Sequence, residues 1–60
     1  MSNQIEFKVG NKVKVKNGSM RLGKSGIIMK DYKDGDFKVN FGGNDDVSID
    51  GKNLVLQDLP

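Results

Sequence analysis

Asn11-Lys12-Val13-Lys14-Val15-Lys16-Asn17-Gly18 decides the fold class. Val13 and Val15 share one parity, and Lys12, Lys14 and Lys16 share the other. Period-2 alternation is the mark of a strand with one face in a core and one in solvent. Asn17-Gly18 then supplies a turn. Upstream, Phe7 and Val9 continue the inward parity, while Glu6 and Lys8 continue the outward one. Gly10 interrupts them as a bend or bulge, so the strand proper is expected over 11–16.

The same pattern recurs along the chain. Residues 17–26 form a loop with Gly18, Gly23 and Gly26, in which Met20 and Leu22 are the apolar residues. One or both are expected to tuck under the loop and pin it. Gly26 to Tyr32 reads as a second strand with Ile28 inward and Ile27 or Met29 outward. Lys33-Asp34-Gly35-Asp36 reads as a tight hairpin, because Asp-Gly tolerates the positive φ of a type I′ turn. Phe37, Val39 and Phe41 alternate with Lys38 and Asn40 in a third strand. After a turn at 42–46, Val47 and Ile49 point inward and Ser48 outward in a short fourth strand. A turn at 50–53 leads to Leu54 and Leu56, with Val55 and Gln57 on the opposite face. Five short strands of this kind predict an all-β domain over 1–60, a five-stranded SH3-like barrel whose closure removes its edges.

Composition agrees. Six Val and four Ile stand against four Leu and no Ala, with eight Gly spread along the chain. Val and Ile suit a pleated, half-buried surface, whereas Ala and Leu favour helices. A domain of 60 residues buries only about 60% of its unfolded surface, so the core is expected to be thin. With no Cys and no His, a disulfide framework, a zinc site of the usual ligands and a Ser-His or Cys-His pair are all excluded. No apolar run approaches the ~20 residues of a spanning helix. Met1-Ser2-Asn3-Gln4 lacks the layout of a signal peptide. The expectation is a cytoplasmic, non-catalytic module with no cofactor, no metal, no membrane and no small-molecule substrate.

The stretch Gly10 to Ile28 resembles a KOW motif: a basic strand around Val13 and Val15, a loop carrying Gly18 and Gly23, and Gly26 opening a second apolar strand at Ile28. Phe37-Lys-Val-Asn-Phe41 fits the third strand, so the resemblance spans roughly 10–41. It implies an SH3-like barrel that contacts RNA, DNA or a partner protein. A second resemblance covers more of the chain. Gly10 to Val15, Gly26 to Ile28, Val39 to Phe41 and Asn53 to Leu59 look like the small stromal photosystem I subunit that helps dock ferredoxin. They are also similar to the variable chain of ferredoxin–thioredoxin reductase. That likeness implies docking to a protein partner.

Charge is divided unevenly. Residues 1–30 carry a net +6 and residues 31–60 a net −4, giving +2 in all. Lys12, Lys14 and Lys16 leave one strand face about 7 Å apart, close to the spacing of successive phosphates along a nucleic-acid strand. Arg21 and Lys24, on the adjoining loop, are expected to extend the stripe, and Tyr32 to serve as a stacking ring. Such a stripe gives salt-dependent binding of RNA or DNA, and the same face would equally meet an acidic protein. Alternating lysines also keep a small β protein soluble and blunt a strand edge. Asp46-Val-Ser-Ile-Asp50-Gly51 matches the start of a calcium loop, but its twelfth position is Gln57 and not the bidentate Glu such a loop requires. Gly18 to Gly26 lacks the spacing and the following helix of a phosphate cradle.

Overall fold

The computed structural model describes residues 7–18 and 20–57. Those residues form an all-antiparallel sheet of five strands: β1 (Lys12–Val15), β2 (Ser25–Asp31), β3 (Asp36–Asn40), β4 (Asp46–Asp50) and β5 (Leu54–Leu56). A single 3₁₀ turn, Gly51–Asn53, joins β4 to β5, with Asp50 capping it by accepting the Lys52 N–H at 2.9 Å. The spatial order is β4-β3-β2-β1-β5. The chain therefore meanders through its first four strands and brings the fifth back beside the first. Among the described residues the end strands β4 and β5 are not laddered to one another, so the sheet is open and the expected closure that removes its edges is not formed by them. Expected and observed strands agree within a residue or so at each end. The expected solvent position of Glu6 and the closing Leu59 lie outside the described residues.

Val13, Val15, Ile28, Val39, Ile49 and Leu54 are buried together, each from the inward parity of its strand. Phe37, Phe41, Val47 and Leu56 pack around them, and Phe7 meets Phe37 edge to face with centroids 5.4 Å apart. Burying a side chain the size of Ile28 stabilises the fold by about 1.5–3 kcal/mol. Gly26 lies between β1 and β3, where a Cβ would come within 2.6 Å of the Asn40 carbonyl oxygen and 2.7 Å of Val39 Cγ1. Here glycine serves close approach of strands and not backbone freedom.

Three expectations are corrected. Val9 is 62% exposed and not in the core. A turn closed by the Asn11 N–H donating to the Lys8 carbonyl, with Gly10 at φ +97°, breaks the parity that links Val9 to Val13. Met20 and Leu22 are both exposed and pin nothing. The loop is held instead by polar contacts: Gly23 N–H donates to Val15, Lys24 N–H to the Arg21 carbonyl, and the Arg21 side chain to Asp45. The hairpin between β2 and β3 is longer than a two-residue type I′ turn. Its positive φ values fall on Lys33 (66°) and Gly35 (100°), not on Asp34. The Asp31 and Asp34 carboxylates shape it by accepting the Lys33 and Asp36 N–H groups at 2.8 and 3.1 Å.

Candidate nucleic-acid interface

Direct cross-strand partners share a face of the sheet. Lys12 pairs with Ile27, Lys14 with Ser25 and Val55, and Ile27 with Asn40. These side chains lie on the face opposite the core. A bulge then shifts the register between Ile28 and Lys30, leaving Met29 without a partner of its own and setting Lys30 opposite Lys38. Simple alternation from the buried Ile28 would turn Lys30 inward. The bulge returns it to the outer face, because an extra residue on one strand advances its parity by one. The outer face thus gathers Lys12 and Lys14 from β1, Lys30 from β2 and Lys38 from β3, with Ile27 and Met29 exposed between them. Neighbouring strands lie about 4.8 Å apart and rise about 3.3 Å per residue, so these lysines spread over roughly 10 Å across the strands and roughly 15 Å along them.

The expected binding residues do not stay together. Lys12 and Lys14 stand on this face. Lys16 is exposed past the end of β1, its N–H donating to the Asn53 carbonyl at 2.8 Å. It borders a groove of about 450 Å³ lined also by Phe7, Phe37, Leu54, Lys52 and Asp50. Arg21 is engaged elsewhere. Its Nε donates to Asp45 Oδ2 at 2.9 Å and its Nη2 to Oδ1 at 2.5 Å, and its guanidinium lies 6.0 Å from the centre of the Phe41 ring. The hydrogen bonds and charge of Asp45 raise Arg21 further above the usual guanidinium range. Hydrogen bonding from Arg21 holds the Asp45 carboxyl below the usual carboxylate range against a partly opposing loss of hydration, and the charges of Arg21 and Lys24 lower it further. Lys24 is exposed at the end of the loop, its carbonyl accepting the Val15 N–H of β1 at 2.9 Å. Tyr32, 38% exposed, follows β2 directly, and Lys30 Nζ sits 5.4 Å from the centre of its ring.

Lys30 and Lys38 were missed as binding residues in the sequence reading. Lys38 lies on the outward parity of its strand, but only the register with β2 sets it across from another lysine. Like charges directly opposite one another destabilise a sheet. Among the described residues the ion pairs are Arg21–Asp45 and Lys33–Asp31, so neither Lys30 nor Lys38 is ion-paired to a described carboxylate, although Asp36 of β3 and Asp46 and Asp50 of β4 share the face with Lys38. The described residues hold no cluster of three or more metal-ligating side chains and no helix long and apolar enough to cross a membrane. No family model, curated protein or solved structure matches the chain significantly.

Proposed function

We propose that this chain is a small, non-catalytic, cytoplasmic nucleic-acid-binding module of KOW-like character with an SH3-like barrel fold. The strand order, the return of β5 to β1 and the 3₁₀ turn before β5 support the barrel reading. The observation that carries the function is the cross-strand pair Lys30–Lys38, joined on one face by Lys12 and Lys14 and ion-paired to no described carboxylate, with Asp36 of β3 and Asp46 and Asp50 of β4 marking where the basic patch ends. A sheet that sets two cations opposite one another, neither in an ion pair among the described residues, is suited to an external polyanion on its β1–β3 side. In this reading the four lysines contact phosphates and Tyr32 stacks on a base. Ile27 and Met29, exposed between the lysines, favour a second reading in which an acidic protein docks on the same face.

Fluorescence anisotropy with labelled single-stranded RNA, single-stranded DNA and duplex DNA, across ~20–200 mM salt, tests the proposal. Binding is expected to weaken with salt. Lys14→Glu is expected to reduce affinity and to lower the salt slope by about 0.7 per lost phosphate contact on a single strand. Arg21→Gln is expected to leave that slope unchanged, because the guanidinium already serves Asp45. Absence of binding at the lowest salt would refute the nucleic-acid reading and leave the acidic protein. An equal loss in both variants would refute the assignment of the face.

A further inference from the structure

β4 is an end strand of the sheet, and its backbone shows which groups it leaves open. The Phe41 N–H donates to the Asp45 carbonyl, and the Gly51 N–H to the Gly35 carbonyl. Hydrogen-bonded pairs alternate along an antiparallel ladder. With Val39 opposite Val47 and Phe37 opposite Ile49, the odd-numbered residues of β4 spend their backbone groups on β3. The Ser48 N–H and carbonyl, the Asp46 carbonyl and the Asp50 N–H therefore point to the open edge. No backbone group among the described residues meets them there. A groove of about 300 Å³ runs beside this edge, bordered by Ser48, Ile49, Asp50, Asn17 and Asn53.

Charge selects the occupant. Asp46, Ser48 and Asp50 share one face of β4. A second copy paired antiparallel about Ser48 would set Asp46 opposite Asp50 twice, which like-charge repulsion opposes. The same carboxylates repel a phosphate backbone. We propose that the β4 edge accepts an extended segment of a protein partner as a sixth, antiparallel strand. The segment carries Lys or Arg at two positions four residues apart. With a small polar residue opposite Ser48, the two cations fall opposite Asp46 and Asp50, and main-chain bonds supply the affinity. The added strand would pair with the β4 edge and not cover the sheet, although Asp46, Ser48 and Asp50 stand on the same side of the sheet as Lys38.

The test is an NMR titration of the ¹⁵N-labelled protein with the capped peptide Thr-Lys-Val-Thr-Val-Lys-Thr. Shifts are expected to concentrate on the Ser48 and Asp50 amides. Methylating the backbone nitrogen of the central Thr keeps both charges and removes one strand bond, and is expected to weaken binding about tenfold. A peptide with Glu in place of both Lys is expected not to bind. Asp46→Asn, which keeps the Oδ1 acceptor used by Asn40 Nδ2, is expected to weaken binding several-fold with the fold intact. The proposal is overturned by equal binding of the methylated peptide, by shifts elsewhere than β4, or by no shift at millimolar peptide. Ser48 shifts that follow protein concentration without peptide would overturn it in favour of a second copy.

Discussion

Replacing Gly26 with alanine tests the packing of the sheet where it is tightest. The new Cβ would stand 2.6 Å from the Asn40 carbonyl oxygen, 2.7 Å from Val39 Cγ1 and 2.9 Å from Phe41 Cδ1. Val39 is fully buried among the other core side chains. The Asn40 carbonyl belongs to β3, which is laddered on both sides, so it cannot retreat without disturbing β2 or β4. Overpacking a core of this kind costs about 1–3 kcal/mol. A backbone atom among the contacts places Gly26→Ala toward the upper end. Restricting the unfolded chain returns about 0.4–1 kcal/mol. The net loss is therefore about 2 kcal/mol, against the ~3–5 kcal/mol that a single core supplies at this size. The melting temperature should fall by about 8–16 °C, at roughly 4–8 °C per kcal/mol for a small domain. Urea and thermal unfolding followed by circular dichroism measure it. Gly23→Ala is the matched comparison: its Cβ meets nothing within 4 Å, but its φ of +82° costs an alanine about 1 kcal/mol. A Gly26→Ala protein melting within 2 °C of the parent (about 0.5 kcal/mol or less) would refute the close approach of β2 to β3.

Two further outcomes follow from the core and the ion pair. Val39→Asp buries an unpaired carboxylate at a fully buried position, a cost comparable to the whole stability of the domain, so the variant should show no cooperative melt; a native-like transition would mean that the β3 assignment is wrong. Asp45 is held below its ordinary range in the folded state, so its contribution is fully present above the unfolded carboxyl's pKa and disappears as pH falls through the lower, folded value. Melting temperature against pH should therefore drop less steeply on acidification in Asp45→Asn than in the parent, and superimposable curves would remove the pair from the account.

The strands were legible because parity is local. Val13, Val15, Ile28, Val39, Ile49 and Leu54 all occupy the inward positions that alternation assigned them. Val9 was misread because one glycine turn separates it from that parity, and alternation carries no information across a turn. Met20 and Leu22 were misread because an apolar residue in a loop has no periodicity to orient it, and a guanidinium–carboxylate pair proved sufficient to hold the loop. The basic site was legible only in part. Lys12 and Lys14 follow from β1 alone, whereas Arg21 was claimed by an Asp 24 positions away that nothing in the local pattern linked to it.

By itself the sequence determined that the chain is built of five short strands, which residues of each strand face inward, and that its first half is basic and its second acidic. Side-chain direction in a strand depends on nothing beyond the strand's own period of two. Tertiary structure decided which charges stand together. Pairing register joins residues far apart in sequence, and the bulge after Ile28 turns Lys30 from the inner parity to the outer and sets it across from Lys38. One inserted residue changes the face of every residue beyond it, so the composition of the lysine face was settled by how β2 pairs with β3.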